Sequence, residues 1–339
     1  MIASEQQLET ALSEPSEADA QAMAALEGDL LILGVAGKMG PSLAKRARRA
    51  CERAGVAKRI IGVARFSNPE SRRELESAGI ECMSADLLEP GTLQKLPEAE
   101  NVLYMAARKF GSTGNEHLTW AMNALLPGLV AERYAASRIV AFSTGNVYPL
   151  VPISQGGATE ATPPGPVGEY AQSALGRERM FEYFSSRYGT RVMLLRLNYA
   201  IDLRYGVLLD IGQKIFERRP IDVTMGHVNV IWQGDANSVA LRSFALCSSP
   251  PAVLNLTGPE TIAVRWLARR FGERFGVEPV IQGTESDTAL LSNAARCHRL
   301  FGYPTVTVEQ MIEWVADWIG MGGATLAKPT HFETRDGKF

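Results

Sequence analysis

Between residues 30 and 198, short apolar runs alternate with stretches that carry a helical period. The runs LLILG (30–34), RIIGVA (59–64), IECMSAD (80–86), NVLYMAA (101–107), RIVAFST (138–144) and VMLLRLN (192–198) have strand length, and most are apolar on successive positions. Strands of that kind are buried on both faces, as in a parallel sheet. Amphipathic segments at 42–55, 71–79, 120–136 and 169–189 fall between them. This alternation predicts right-handed βαβ units and an α/β fold, with helices covering both faces of the sheet.

Before the first strand, residues 1–27 read as two short helices broken at Pro15, with Ser16 and Glu17 starting the second. They are expected to form a lid or a packing arm. The segment 151–168 is rich in Gly, Pro, Ser and Thr, and so long a loop in a compact domain usually shapes a site. After Asn198 the period weakens, with two returns to strand-like sequence at VNVIW (228–232) and AVLNLTG (252–258). The expected division is an arm at 1–27, a first domain at 28–200 plus 230–258, a smaller substrate lobe at 201–229 plus 259–330, and a polar tail at 331–339. That tail reads as a frayed end or as an arm reaching a neighbouring subunit.

Composition narrows the partners. With 35 basic and 37 acidic residues the net charge is −2, which gives no electrostatic reason to expect a nucleic acid or an anionic membrane surface. The expected partner is a small molecule. No stretch approaches about 20 apolar residues, and the N-terminal segment has no signal-peptide core, so a cytoplasmic setting is expected. Cys51, Cys82, Cys247 and Cys297 are far apart and no histidine has ligand spacing, so no metal is expected. His227, just before a returning strand, is the one histidine expected to face a pocket.

The most informative local pattern is GVAGKMG (34–40) between a strand and a helix. Gly34 suits a tight turn, Gly37 a close approach of backbone to a diphosphate, and Gly40 close helix-to-strand packing. Lys38 and Met39 lie in the same loop, at a helix start whose N–H groups favour a phosphate. The fold is therefore expected to be a Rossmann-type doubly wound parallel sheet with a smaller C-terminal substrate lobe, holding NAD or NADP. The second strand ends at Ala64, where NAD-preferring proteins carry an acidic residue, and Arg65 follows. An absent carboxylate and an adjacent guanidinium favour a 2′-phosphate, hence NADP slightly over NAD. Asp86, followed by Leu87 at the end of the third strand, is a candidate acceptor for the adenine amino group.

Taken together, the glycine loop, SADL (84–87), the strand ending in Ala106 and Ala107, FSTGNVYP (142–149), EYAQS (169–173), LLRLNYAI (194–201), VNVIWQGDAN (228–237) and LSNAARCHRLFGYP (291–304) resemble the extended short-chain dehydrogenase/reductase family. This family is also called the NAD-dependent epimerase/dehydratase family. The resemblance implies that Thr144 polarises the reacting oxygen, that Tyr170 gives or takes the proton, and that Asn123 supports the cofactor region. It places Asn198 and Tyr199 at the junction of cofactor and substrate. It also implies a homodimer built from the segments around 120–134 and 169–184.

One departure bears on mechanism. The family's helix reads YxxxK, whereas Ala174 stands four residues after Tyr170. The lysine normally bonds the nicotinamide ribose and lowers the tyrosine pKa. An unperturbed phenol titrates near ~10, so at neutral pH only about one tyrosine in a thousand is a base, a deficit of about 4 kcal/mol. Without another cation, carbonyl reduction is expected to be easier than alcohol oxidation. Two residues are candidates for that cation: Lys109, in the loop beyond the fourth strand, and Arg177, two turns after Tyr170. Lys109 is the better placed by sequence. The resulting expectation is an NAD(P)-dependent oxidoreductase or epimerase acting on a hydroxyl or carbonyl of a sugar, sugar acid or sugar nucleotide. The alternative is a catalytically weak NAD(P)-binding regulator or scaffold.

Overall fold

The computed structural model describes residues 1–109, 111, 113–328 and 330–338. Seven strands form one parallel sheet: β1 (Leu30–Leu33), β2 (Ile60–Ala64), β3 (Glu81–Ser84), β4 (Asn101–Tyr104), β5 (Arg138–Thr144), β6 (Arg191–Leu197) and β7 (Ala252–Leu256). Their spatial order is β7-β6-β5-β4-β1-β2-β3, so the chain reverses direction across the sheet between β1 and β4. In a doubly wound sheet the carboxyl ends of the strands at that reversal open a crevice where ligands bind.

Alternating side chains explain why the strands are apolar throughout. Leu30 and Ile32 enter a core on one face of the sheet, shared with Leu43 and Ala47 of helix α3 (Gly40–Ala54). Leu31 and Leu33 enter the core on the other face, with Tyr104 and Phe181. A third core gathers Leu208, Ile211, Phe271 and Ile312 from the later helices.

The N-terminal segment is a packing arm. Helices α1 (Glu5–Ser13) and α2 (Glu17–Ala25) lie against α3, and Ser16 opens α2 with a capping box to Asp19. Leu8 and Leu12 are fully buried. Asp19 is buried too, and its Oδ2 accepts from Arg46 Nε and Nη2 at 2.9 and 2.6 Å while Oδ1 accepts from Ser238 at 2.5 Å. Glu9 pairs with Lys45 of α3 and with Arg204 beyond Ile201, tying the arm to both.

Two expectations need correction. The VNVIW segment is not one strand: His227–Val228 pairs antiparallel with Ile262–Ala263, and Ile231–Trp232 pairs parallel with Ala200–Ile201. Between them Asn229 is buried, accepting from Ser292 N–H and donating to Glu260 carbonyl, so its side chain ties loops together where a ladder would continue. The tail is neither frayed nor extended outward. Phe332 is fully buried in the third core, Glu333 pairs with Lys214, and Arg335 donates to the Thr288 carbonyl and hydroxyl. At Gly168, with φ of +81°, an added Cβ would sit 2.4 Å from the Gly337 carbonyl oxygen, so the tail passes against the start of the helix that carries Tyr170.

Candidate active site

A cavity of about 260 Å³ opens at the carboxyl ends of β1, β4, β5 and β6. Its walls bring together Gly34, Gly37, Lys38, Met39, Gly40, Ala107, Lys109, Thr144, Tyr170 and Asn198. Arg65, Asp86, Leu87, Ala106 and Asn123 are not among its lining. Arg65 and Asp86 lie on the β2–β3 side, where their charged atoms approach to 3.9 Å on a largely exposed surface. Asp86 Oδ1 accepts from Leu88 N–H, leaving its other oxygen for that contact.

The glycine loop has the geometry its sequence predicts. Gly34 adopts φ of +91°, and a Cβ there would lie 2.7 Å from the Ala106 amide nitrogen. A Cβ on Gly40 would collide with the Val35 carbonyl oxygen at 2.1 Å, so only glycine lets α3 pack this close to its strand. A Cβ on Gly37 would meet only the Gly34 oxygen, at 3.2 Å, so the space beside it is open, while its own N–H donates to the Gly34 carbonyl at 3.0 Å. No side chain caps the start of α3 at Met39, so the N–H groups of its first turn, apart from Pro41, which has none, remain available to an anion. A diphosphate suits this donor set.

Thr144 ends β5 and caps the short turn Gly145–Val147. Its Oγ1 accepts from Asn146 N–H at 3.2 Å and from Asn146 Nδ2 at 3.0 Å, so local hydrogen bonding occupies its lone pairs. The hydroxyl proton is then directed elsewhere, and Thr144 bonds the Tyr170 phenol. Tyr170 stands on the helix Gly168–Tyr188, whose buried residues Tyr170, Ala171, Ala174, Glu178, Phe181 and Ser185 fall on one face. Burial pushes its phenol pKa up, while the Arg177 guanidinium and the Thr144 hydroxyl hold it down.

Beneath this pair lies a buried polar network. Ser143 donates to Glu178 at 2.5 Å, Glu178 holds Arg196 through both oxygens, and Arg196 donates to the Tyr148 hydroxyl at 2.7 Å. Tyr148 in turn donates to Asn255 at 2.8 Å, which fixes the turn after β5 against β7.

Asn123 lies in a π-helical segment, Ala121–Leu125, a distortion that often marks functional positions. It clamps two elements. Its Oδ1 accepts from Arg108 N–H at 2.9 Å and Arg177 Nη2 at 3.0 Å, and its Nδ2 donates to the Arg108 carbonyl and the Ser173 hydroxyl. The loop bearing Lys109 is thereby held against the helix bearing Tyr170. The Lys109 ammonium lies 5.8 Å from the Tyr170 ring centre and 3.4 Å from the Thr330 carbonyl oxygen, and burial lowers its pKa to about 8.

Lys38 crosses the crevice, donating to the Ala200 carbonyl at 2.9 Å with its ammonium 3.7 Å from the Tyr205 ring centre. Desolvation in the crevice lowers its pKa to about 7, against the pull of Asp202. Tyr205 and Thr330 complete the wall on the lobe side, and the sequence reading missed both. Neither stands in a motif, and Thr330 reaches the cavity only because the tail folds back, with its amide and hydroxyl donating to Asp210. His227 is a correction in the other direction. It is not part of the cavity wall and lies near Glu285, and burial lowers its pKa. Among the described residues no group of His, Cys, Asp or Glu is arranged to hold a metal ion, and no helix is long and apolar enough to cross a membrane.

Comparison with known proteins agrees with this architecture. The chain is similar in structure to the UDP-glucose 4-epimerase of Thermus thermophilus, solved with NAD, at 18% identity and a TM-score of 0.70, covering 88% of this chain and 100% of that one. It is similar to the UDP-glucose 4-epimerase of Thermotoga maritima, solved with UDP-glucose, at 16% identity and a TM-score of 0.68, over 87% and 99% of the two chains. The dTDP-glucose 4,6-dehydratase of Streptomyces venezuelae gives 16% identity and a TM-score of 0.73, over 86% and 97%. At these identities the likeness is one of fold. No curated protein matches the chain. The family model for the NAD dependent epimerase/dehydratase family matches residues 30–200, which hold the glycine loop, Thr144, Tyr170 and Asn198. Glycine loop, sheet order and family match agree, and the chain belongs to the NAD dependent epimerase/dehydratase family.

Proposed function

We propose that this protein is an NAD(P)-dependent oxidoreductase or epimerase acting on a hydroxyl or carbonyl of a sugar, sugar acid or sugar nucleotide. The observation that carries the reading is the Thr144–Tyr170 hydroxyl pair in the same cavity as the open start of α3. Gly34, Gly37 and Gly40 would hold the diphosphate of the dinucleotide, with Lys38 and Met39 beside it. Its nicotinamide supplies hydride acceptance and donation at carbon. Thr144 orients the reacting oxygen, and Tyr170 takes its proton or returns it. Lys109 and Asn198 face the same space, where the substrate would lie. The similar epimerases and dehydratase named above support the sugar-nucleotide assignment.

The adenine end favours NADP by a small margin. Ala64 offers no carboxylate to repel a 2′-phosphate and Arg65 is free to turn toward it, although Asp86 competes for the same guanidinium at 3.9 Å. Arg65→Ala is expected to weaken NADP binding about tenfold and to leave NAD binding within about twofold, measured by calorimetry. Equal losses for both dinucleotides would remove the 2′-phosphate contact.

The enzyme reading is tested by incubating purified protein and either dinucleotide with UDP- and dTDP-linked sugars, following both nicotinamide absorbance and epimeric product. Conversion of at least one sugar nucleotide is expected. The alternative, a cofactor-binding regulator, is favoured by Ala174 in place of the lysine. No conversion, combined with unchanged cellular products in a Tyr170→Phe strain, would establish it.

We also propose a homodimer. Leu118, Trp120, Leu125 and Leu129 on one helical segment, with Tyr183 and Tyr188 on the tyrosine helix, leave an apolar stripe exposed. Light scattering is expected to give the mass of two chains, and Leu125→Glu the mass of one. A monomeric wild type would contradict this.

A further inference from the structure

Ala174 is fully buried on the same face of the helix as Tyr170 and offers no charge there. One helical turn further on stands Arg177, 2% exposed. Long side chains on a helix lean back toward its N-terminus, over the preceding turn. The Arg177 guanidinium therefore lies over the level of Ala174, and it forms part of the cavity wall with Tyr170. Its Nη1 donates to the Phe142 carbonyl at 2.7 Å and its Nη2 to Asn123 Oδ1 at 3.0 Å, both uncharged acceptors. The Nε–H is buried and has no acceptor at all. An orphaned donor is destabilising unless an acceptor arrives with whatever fills the cavity.

We propose that Arg177 stands in for the lysine absent at Ala174, as the positioning cation of Tyr170. The inference rests on the reading of Tyr170 as the proton carrier. Several groups surround that phenol. Thr144 bonds it, Arg177 attracts its ionised form, Lys109 lies over its ring, and Tyr205 lies nearby, with Lys38 and Asp210 behind Tyr205 and Lys109. Lys109 loses its own charge near pH 8, whereas a guanidinium stays charged throughout the range in which a tyrosinate forms. The π-helical segment carries Asn123, whose side chain holds the guanidinium in place. Its free Nε–H offers the donor to a ribose hydroxyl or a water that the missing lysine would have supplied. Arg177 offsets part of the burial that raises the Tyr170 pKa, so the expected bias toward carbonyl reduction is reduced but not removed.

The test uses full-length protein carrying ring-labelled ¹³C-tyrosine, with the Tyr170 resonance assigned by its loss in Tyr170→Phe. Calorimetry first establishes whether wild type binds NAD or NADP; failure there defeats the functional reading whatever Arg177 does. Given binding, Arg177→Met is expected to raise the Tyr170 titration by at least about one pH unit and to weaken dinucleotide binding about tenfold. Arg177→Lys is expected to keep the titration within about half a unit of wild type. A folded Arg177→Met protein with unchanged titration and affinity overturns the proposal. If Arg177→Met does not fold, Ala174→Lys is added to it. Folding with a wild-type Tyr170 titration supports the proposal, while failure to fold, or folding with the titration still raised, overturns it.

Discussion

Tyr170→Phe is expected to lower turnover about 10²–10⁴-fold while leaving the thermal midpoint and dinucleotide affinity close to wild type. The phenyl ring retains the packing of Tyr170, which is 8% exposed, and only the hydroxyl bonded to Thr144 is lost. What remains is a site that binds but has no group to move the proton. A fall in kcat with KM little changed would identify the hydroxyl as acting in the transition state. Retention of more than about a third of the activity would mean that another group, such as Lys109 over its ring, carries the proton.

Asp19→Ala is expected to destabilise the protein by about 3–5 kcal/mol at pH 7. The substitution strips the buried Arg46 of its counter-ion and removes the acceptor from Ser238 and from the Ser16 amide. Burial pushes the Asp19 carboxyl up, but the Arg46 guanidinium and the hydrogen bonds of Ser238 and Ser16 outweigh it, and the net pKa is lowered. A carboxyl lowered on folding stabilises the native state above its unfolded pKa of about 3.9 and loses that contribution as pH falls through the folded value. The gap between wild type and Asp19→Ala in urea unfolding is therefore expected to be full at pH 7 and to narrow below about pH 4. A gap under about 1 kcal/mol at pH 7 would show that the arm is an ornament on α3 and not part of its support.

Much of the sheet was legible because burial on both faces leaves continuous apolar runs, and β1, β2 and β4 display them with every residue buried. The glycine loop was legible for a different reason. At Gly34 and Gly40 a Cβ has no room, so the backbone itself dictates the residue. The two arm helices were readable from Pro15 and Ser16, which set a break and a cap within a few residues of each other. The lobe side of the site was not. Thr330 belongs to a polar tail with no period, and its place in the wall depends on Phe332, buried among helices far away in sequence. Tyr205 looks like any loop tyrosine until Lys38 is found over its ring. Arg177 was visible as a candidate, but spacing does not register that it is buried or that Phe142 and Asn123 hold its guanidinium. His227 shows the converse error, since position before a strand does not determine which side of the lobe its ring faces.

The central claim is that a pyridine dinucleotide lies across the crevice with its diphosphate on the backbone between Gly34 and Gly40 and its nicotinamide end beside Tyr170. A crystal structure of the protein grown with NADP tests it most directly. The account predicts electron density for the diphosphate at the start of α3 and for the ring within reach of the Tyr170 hydroxyl. Dinucleotide bound at another surface, or seated on the loop with the Tyr170 hydroxyl turned away from the ring, would contradict it.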